Sequence, residues 1–461
     1  MRTTLLHPAL PRQCGQVDCA AMQLHRNPLG TESPSGRAVA AGQVLLNAGL
    51  LLIAVAWAIG GHRRALVIAA LVPLVFVPFS YARVRLQDHL ARHLGAPWIW
   101  LVAAAGLGLD AIMAAQLITA RSTPPAWLTG HFVQWIGAVW FSAHALLLLG
   151  YAVAALARLA GKPLGRLRPS SAPRADADTA LLGRRELLQK AALAGVAVPF
   201  GVSLSSTKLS YDFRVEERVI VVPNWPRQLD DLRVVHLSDI HVGGAMDRAR
   251  LMRVAELTNR CQPDLVLHTG DFLTHRQGNF DEPLYQALAT VRAPLGQWAC
   301  LGNHDYDNLP RLLARMGQAG VTVLQDRLAR LAVAGETLEI GGLDYVFARL
   351  QRQQIFAEVV RAWGEHQGAR LLLSHDPSTF GSLPQGGGDL VLAGHTHGGH
   401  VGIQLDQQRA ITVVGLAGLA DQGLFERPDM RMYVTRCVGF YGYPMRIGIP
   451  PEIALLRLRS A

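Results

Sequence analysis

The hydrophobic pattern of this chain of 461 residues changes near residue 210. The first 160 residues contain four apolar stretches, each close to or above the length of about 20 helical residues that crosses a bilayer. These stretches cover residues 38–60, 65–82, 98–120 and 127–157. The pattern therefore predicts a four-helix transmembrane region over residues 38–160, preceded by an N-terminal tail over residues 1–37.

Lysine and arginine are distributed unequally between the connections of the predicted spans. The tail, the second connection and the segment after the fourth span hold most of these cations, whereas the first and third connections hold only Arg63, Arg64 and Arg121. Loops rich in Lys and Arg stay in the cytoplasm. The tail, the second connection and the segment after the fourth span are therefore predicted to be cytoplasmic, in a multi-pass protein of the cell (inner) membrane.

A flexible basic linker is predicted over residues 161–183, which are rich in Pro, Ser, Ala and Arg. The residues after it resemble a twin-arginine export signal: they are Arg184 and Arg185, a leucine pair, Lys190 and an apolar run to Leu204. The alternative is a cytoplasmic basic patch before a membrane-facing helix. The export interpretation makes residues 184–206 a signal or fifth membrane segment, implies the twin-arginine translocase as a partner, and places the rest of the chain on the periplasmic or extracellular side.

From about Tyr211 onwards, short apolar runs alternate with amphipathic helical patterns, as they do in βα units. Strands are predicted over residues 232–237, 265–268, 297–301, 369–374 and 389–393. Helices are predicted over residues 247–260, 282–291, 309–318 and 351–365. Each predicted strand ends in a loop that contains His, Asp or Asn. Since ligands bind beyond the carboxyl ends of strands in α/β sheets, the five loops are expected to converge on one cleft.

Composition and charge exclude some classes of function. Half of the residues are hydrophobic and 17% are charged, against about 25% charged in a typical soluble protein. Residues 1–207 carry 18 Lys and Arg against 7 Asp and Glu, whereas residues 208–461 carry 26 against 27. The basic excess belongs to the apolar half, so no nucleic-acid binding is expected. The five cysteines are scattered, which predicts no disulfide framework, and three are interpreted as small core residues: Cys261, Cys300 and Cys437.

Five short motifs occupy the predicted loops. In chain order they are Asp239-Ile240-His241, Gly270-Asp271, Gly302-Asn303-His304-Asp305, His375 and Gly394-His395-Thr396-His397. The series resembles the calcineurin-like metallophosphoesterase superfamily, and within it the membrane-associated bacterial branch that carries a twin-arginine-type signal. The resemblance covers about residues 210–461. It implies an α/β metallophosphoesterase domain over residues 211–461, built as a four-layer α/β/β/α sandwich.

The residue types agree with phosphoester chemistry. A phosphoester resists attack because its anionic oxygens repel nucleophiles and its alkoxide leaves poorly. Two divalent cations about 3.5–4 Å apart neutralise those oxygens and lower the pKa of a bound water. Asp239 and His241 are two residues apart, so their side chains can leave a strand end on the same side, and His395 and His397 repeat this spacing.

The resemblance implies a role for each motif residue. One divalent cation would be held by Asp239, His241 and His397. The second would be held by Asn303, His375 and His395, with Asp271 bridging the two. His304 would contact the phosphoryl group and either protonate the leaving oxygen or stabilise developing charge, and Asp305 would orient His304 through a hydrogen bond. Zn, Mn, Fe and Mg all remain compatible with this mixed set of oxygen and imidazole ligands.

The expected function is a membrane-anchored, metal-dependent hydrolase of phosphomonoesters or phosphodiesters. It would act by in-line attack of a dimetal-bound hydroxide, with a lipid or cell-envelope phosphoester as the expected substrate. Two alternatives stay open, a cytoplasm-facing nucleotide phosphodiesterase and a non-catalytic metal-binding sensor or scaffold. The weak candidates for substrate contact are His400, which stands where the related branch more often has glutamine, and Arg446.

Overall fold

The computed structural model describes residues 197–461, apart from 244, 275–280, 407–408 and 442, and a few residues between 108 and 150. The predicted tail, the first two spans, the linker and the arginine pair lie outside the described residues, and only isolated helical residues of the third and fourth spans are described. Residues 197–209, at the end of the predicted fifth segment, are helical. Within the described part of the chain, no helix combines the length and hydropathy needed to cross a membrane.

Two mixed sheets of six strands form the centre of the C-terminal half. In spatial order, the first sheet contains β1 (Arg214–Val222), β14 (Glu452–Ser460), β2 (Leu232–Leu237), β3 (Leu265–Thr269), β4 (Gln297–Cys300) and β5 (Val321–Val323). The second contains β12 (Gly423–Glu426), β13 (Arg431–Val434), β9 (Leu390–Ala393), β8 (Ala369–Leu373), β7 (Glu336–Gly342) and β6 (Arg327–Val333). A separate antiparallel hairpin pairs β10 (Gly402–Gln404) with β11 (Ala410–Thr412).

Five α-helices connect these strands within the described region from residue 214 onwards. They are α1 (Arg248–Arg260), α2 (Glu282–Leu288), α3 (Leu309–Gln318), α4 (Arg352–Ala362) and α5 (Val413–Leu416). Helix α1 begins at Asp247, whose carboxylate accepts a hydrogen bond from the backbone N–H of Arg250. Such a cap satisfies a helical N–H group that has no partner inside the helix.

The two sheets pack face to face, and helices cover their outer faces. Val234 of β2 belongs to the core between the sheets, together with Leu371 of β8. The next residue, Val235, faces the opposite way and packs with the first three helices. Phe356 of α4 packs on the second sheet. This alternation produces the layer order helix, sheet, sheet, helix. The predicted α/β class of the C-terminal domain is confirmed, and both sheets are mixed.

The parallel strands place five loops at one end of the two sheets. Strands β2, β3 and β4 run parallel in the first sheet, as β8 and β9 do in the second. Two histidines lie inside the strands themselves. His236 Nε2 is 2.9 Å from Thr269 Oγ1, and burial lowers the pKa of His236 to about 3. Burial also lowers the pKa of His268, to about 4, so both are neutral core residues.

Candidate metal centre

Residues from five loops converge beyond the carboxyl ends of the strands. Their ligand atoms fall into three overlapping groups, and within each group all atoms lie within 4.8 Å of one another. The groups are Asp239 with His241 and Asp271, Asp271 with His375 and His395, and Asp239 with His397 and Cys437. The structure therefore brings together the carboxylates and imidazoles that the motifs contribute.

Asp239 follows β2 and uses its two carboxylate oxygens differently. Oδ2 accepts hydrogen bonds from the backbone N–H of His395 at 2.9 Å and from the thiol of Cys437 at 3.0 Å. Oδ1 is buried and has no hydrogen-bond partner among the described residues. It lies 3.3 Å from Nε2 of His397 and 3.8 Å from Nε2 of His241. One oxygen thus fixes the side chain, and the other is presented to the imidazoles.

Asp271, which follows β3, lies between the two halves of the centre. Its Oδ2 is 3.5 Å from Nε2 of His241 and 3.3 Å from Nε2 of His375. Its Oδ1 accepts the backbone N–H of His304 at 2.9 Å. This carboxylate contacts imidazoles of both halves, which is the position that a bridging ligand requires.

Backbone carbonyls orient three of the imidazoles. Nδ1 of His241 lies 3.2 Å from the carbonyl oxygen of Leu273, and Nδ1 of His375 lies 2.7 Å from that of Thr269. Nδ1 of His397 lies 3.4 Å from a third carbonyl. Because a carbonyl oxygen only accepts, each Nδ1 carries the hydrogen and each Nε2 is left for the centre, the arrangement found around metal-binding histidines.

Two glycines permit the close packing of these loops. A Cβ atom at Gly302 would lie 2.1 Å from Oδ1 of Asp271. A Cβ atom at Gly394 would lie 2.3 Å from Oδ2 of Asp239. Neither distance leaves room for a side chain, so the loops after β4 and β9 approach the carboxylates only because these positions are glycine.

Three buried atoms of the centre lack a hydrogen-bond partner among the described residues, and each can donate a lone pair. They are Oδ1 of Asp239, Nε2 of His241 and Oδ1 of Asn303. A buried polar group without a partner costs about 1–3 kcal/mol, and several at one point call for a shared partner. Carboxylate, amide and imidazole donors together fit divalent cations.

The electrostatics of the centre also favour a cation. Burial alone raises the pKa of Asp239 and of Asp271, but the neighbouring imidazoles outweigh it and hold both pKa values below their ordinary range. Burial lowers the pKa of His375, yet the carboxylates of Asp271 and Asp239 outweigh that effect and raise it to about 10. A proton on His375 thus offsets part of the negative charge of the two carboxylates, a role that a bound divalent cation would also fill.

The backbone of the centre is strained. Twelve described residues other than glycine have a positive φ, and seven of them lie here: Asp239, His241, Asp271, His395, His397, His400 and Cys437. Such conformations cost about 1–3 kcal/mol each and persist where the surrounding structure imposes them, most often at functional sites. The sequence motifs contained no sign of this strain.

His304 lies on the open side of the centre. Its side chain is 13% exposed, whereas that of His241 is 1% exposed. Nε2 of His304 is 3.9 Å from Oδ2 of Asp271, and its ring is 4.8 Å from the ring of Tyr441. The backbone places the side chain beside the carboxylates and leaves one edge open to solvent.

The predicted hydrogen bond from Asp305 to His304 is wrong. In the described structure, the four hydrogen bonds of the Asp305 carboxylate come from the backbone N–H groups of Asp271, Phe272, Leu273 and Gly302. The side chain is fully buried and points into the turn between the loops that follow β3 and β4. Asp305 therefore fixes the two loops that carry Asp271 and Asn303.

Arg446, a weak candidate for substrate contact, has a structural role. It is fully buried, and its guanidinium donates to the backbone carbonyls of His397, Arg436 and Gly439. It therefore stabilises the loop next to His397 and has no surface to offer a phosphate. His400 lies with its ring 4.7 Å from that of His397 and Nδ1 2.9 Å from the carbonyl of Met445. Burial and Arg446 lower the pKa of His400 to about 3.

Sequence reasoning missed three side chains at the centre. Cys437 is buried in the core as predicted, but its thiol also contacts Asp239, which the sequence did not indicate. Tyr441 lies beside His241 and His304, and Tyr345 lies 5.9 Å from His375. No motif marked either tyrosine.

Comparison with known proteins agrees with this geometry. Residues 232–399 match the family described as calcineurin-like phosphoesterase. The chain is 29% identical over 255 residues to an uncharacterized metallophosphoesterase of Aquifex aeolicus, covering 54% of this chain and 94% of that protein. It is 32% identical over 262 residues to a transmembrane protein with metallophosphoesterase domain of Danio rerio, covering 54% and 58%.

A third relative has a name that states its substrate. The chain is 27% identical over 286 residues to the UDP-2,3-diacylglucosamine pyrophosphatase LpxG of Chlamydia trachomatis, covering 50% of this chain and 84% of that protein. The similarity to all three relatives extends over about half of the present chain.

Proposed function

We propose that this chain, which contains a calcineurin-like metallophosphoesterase domain and is a hydrolase of phosphoester bonds, acts at a membrane on lipid or cell-envelope phosphoesters. The observation that carries the reaction class is the convergence of two buried carboxylates with imidazoles from separate loops around unpartnered ligand atoms. The catalytic domain would lie on the outer side of the cytoplasmic membrane, delivered by the twin-arginine-like segment.

Two divalent cations would be held by the residues already named. Asp239, His241 and His397 would hold one, and Asn303, His375 and His395 would hold the other, with Asp271 shared between them. When bound, the cations supply positive charge against the phosphoryl oxygens and lower the pKa of water at the centre. The carbonyls behind His241 and His375 keep the imidazoles in place without a ligand.

His304 would act on the leaving group. Its backbone N–H donates a hydrogen bond to Oδ1 of Asp271, and the partly exposed side chain lies at the entrance to the centre. An imidazolium at this point can contact a phosphoryl oxygen and donate its proton to the departing oxygen. Such proton transfer contributes about 10²–10⁴-fold to the rate.

The membrane location and the lipid substrate are supported by sequence. Four apolar stretches long enough for spans precede the domain. One relative is named a transmembrane protein, and another is named for a diacylated sugar nucleotide with a pyrophosphate linkage. A phosphoester attached to acyl chains would be held at the membrane surface, within reach of a tethered domain.

The test compares wild type with His304→Ala and Asp271→Ala, using the purified full chain with added Mn²⁺ or Zn²⁺. Hydrolysis is measured on p-nitrophenyl and phenyl phosphodiesters. The loss in His304→Ala should reach about 10²–10⁴-fold on the phenyl ester and be smaller on the p-nitrophenyl ester, since nitrophenolate leaves without a proton. Asp271→Ala should lose hydrolysis of both esters and also bind less metal.

His366→Ala is the matched control. His366 is a partly exposed histidine that lies 3.8 Å from Asp389, away from the centre, so its loss should leave turnover unchanged. Equal turnover in wild type, His304→Ala and Asp271→Ala would end the assignment of the reaction to this centre. Turnover that is lost only from Asp271→Ala would remove the role given to His304.

A further inference from the structure

Exposed apolar side chains surround the metal centre. They lie in the loop 343–350, which contains Phe347 and Leu350, and in the segment 401–419, which contains Ile403, Ile411, Val413 and Leu416. We name these six exposed side chains, in their two parts, the apolar rim. We propose that the apolar rim inserts into the surface of a lipid bilayer and so presents the metal centre to phosphoesters that carry acyl chains. This inference rests on the membrane location in the proposed function.

The hairpin β10–β11 and helix α5 both expose apolar side chains. Ile403 and Ile411 are directly opposite each other in the β10–β11 hairpin, so both side chains lie on the same face of the ribbon. Both are exposed. Helix α5 follows β11 without a break, and Val413 and Leu416 lie three residues apart on one side of its single turn. Leu416 is 78% exposed.

This segment is attached directly to the loop that carries His395 and His397. The backbone N–H of Val413 donates to the carbonyl of Val401 at 3.2 Å. A Cβ atom at Gly399 would lie 3.0 Å from Cβ of Thr412, so the strand before α5 presses against the ligand loop. Movement of the hairpin relative to the centre is restricted by these contacts.

The loop 343–350 flanks the other half of the centre. The ring of Phe347 lies 4.8 Å from that of Tyr345. The ring of Tyr345 lies 5.9 Å from His375 and 6.3 Å from His395. The two parts of the apolar rim therefore flank the centre through His375 on one side and His397 on the other.

The attachment of the preceding chain identifies the occupant as a bilayer. The helical residues 197–209 follow the half of the chain that contains the four membrane-length apolar stretches. The backbone N–H of Arg446 donates to the carbonyl of Ser206, and the ring of Tyr211 lies 5.7 Å from Phe440. The residue after Phe440 is Tyr441, which contacts His304. The tether thus reaches the domain at the same face as the apolar rim.

A large exposed apolar surface is unusual on a soluble protein and marks a binding surface. Next to a charged metal centre, it fits an amphiphilic substrate whose acyl chains remain in the bilayer while its phosphoester reaches the ligands. The substrate class is therefore a phosphoester with acyl chains, and water-soluble nucleotides would not use the apolar rim.

The test measures the depth of a spin label in the full chain. In a Cys14→Ser/Cys19→Ser background, the label is attached at Val413→Cys and, as a matched control, at Val219→Cys. The two valines are 60% and 56% exposed. Val219 pairs with Arg457, and Arg457 pairs with Arg233 near the start of β2. Val219 therefore lies at the end of the sheet that is away from the centre.

With vesicles of phosphatidylethanolamine and phosphatidylglycerol, the label at position 413 should become more accessible to oxygen and at least tenfold less accessible to a water-soluble nickel chelate. The label at position 219 should not change. A second label at Leu416→Cys should repeat the result at position 413 if the first substitution alters the hairpin.

Three results would overturn the inference. The labels at positions 413 and 219 could respond alike to vesicles. The label at position 413 could be shielded from both reagents before vesicles are added, which would mean that another part of the chain covers it. Shielding that increases with protein concentration would indicate a second copy. Because no turnover is involved, failure of the proposed reaction is detected separately by the phosphodiester assay.

Discussion

Cys437 combines an unfavourable backbone with a specific contact. Its φ is +64°, a conformation that glycine adopts freely and other residues rarely adopt. The fully buried thiol donates to Oδ2 of Asp239, the oxygen that also accepts the N–H of His395. Burial and Asp239 raise the pKa of the thiol well above its ordinary value, so it remains a donor. The strain is therefore offset in part by an orienting hydrogen bond.

Substitutions of Cys437 should change the stability of the protein and its affinity for metal in different directions. Cys437→Gly removes the strain and should raise the free energy of unfolding of the metal-free protein by about 1 kcal/mol. It also removes a hydrogen-bond partner of Asp239, a proposed metal ligand, which should weaken metal binding about 10–100-fold. Cys437→Ser keeps a donor and should bind metal nearly as well as wild type. Metal titration with denaturant unfolding measures both quantities, and equal metal affinity of the glycine and serine variants would contradict the proposed role.

Asp305→Ala tests the corrected role of that carboxylate. Four backbone N–H groups, three of them buried, lose their acceptor in this variant. Since each unpaired buried group costs about 1–3 kcal/mol, the free energy of unfolding should fall by several kcal/mol, measured by denaturant. His304→Ala at the next position removes none of these bonds and should leave stability near wild type. A stable Asp305→Ala protein with lost turnover would instead favour direct contact with His304.

The motifs predicted the centre at the level of side-chain type and order. Spacing sufficed to pair Asp239 with His241 and His395 with His397, although all four residues have a positive φ and so do not continue the strands before them. It could not predict Asp305 correctly, since which way that carboxylate turns depends on backbone N–H groups from a loop more than thirty residues away. The contact between Cys437 and Asp239 spans 198 positions and has no local signal.

At the scale of elements, the central strands were predictable and the edge strands were not. The predicted strand 232–237 matches β2, and the predicted strand 389–393 differs from β9 by one residue. These strands are buried on both faces and appear as continuous apolar runs. Edge strands such as β6 and the hairpin β10–β11 have mixed patterns of polar and apolar residues. Among the helices, α2 ends at Leu288, before the predicted end at residue 291.

The second sheet contains a buried ion pair with a testable pH dependence. Glu339 of β7 is fully buried, with Oε2 2.7 Å from Nε of Arg370 in β8 and Oε1 2.9 Å from Nε of Arg330 in β6. Burial raises the pKa of Glu339, but the hydrogen bonds from Arg370 and Arg330 outweigh it and lower the pKa below its ordinary value of 4.5. The carboxylate thus joins three strands as an anion.

Glu339→Gln should destabilise the domain by about 3 kcal/mol at pH 7, because Arg370 is left buried without a counter-charge. A carboxyl group whose folded pKa is lowered stabilises the fold above its unfolded pKa and loses that contribution as the pH falls. The difference in unfolding free energy between wild type and Glu339→Gln should therefore shrink as the pH falls below 4.5. The exposed Glu256, paired with Arg253 and Arg260, provides Glu256→Gln as a control with no measurable change.

At the scale of the whole molecule, charge and hydropathy separate two halves of different character. The half before residue 208 carries the basic excess and the apolar stretches, whereas the half after it is close to neutral. Attraction of an anionic substrate to the second half would therefore depend on the proposed metal centre. Sequence predicts the membrane region by hydropathy alone, and its spans lie mainly outside the described residues.

The orientation of the molecule can be tested with a reporter enzyme that is active only outside the cytoplasm. Fused after Ala461, it should give a signal, because the twin-arginine-like segment would carry the domain across the membrane. The double substitution Arg184→Lys/Arg185→Lys should abolish the signal, and a fusion after residue 175, in the predicted cytoplasmic linker, should be silent. A signal that survives the double substitution would show that export does not depend on this pair. Silence of the Ala461 fusion, with the fused protein stably produced, would place the metal centre in the cytoplasm and favour nucleotide phosphodiesters as substrates.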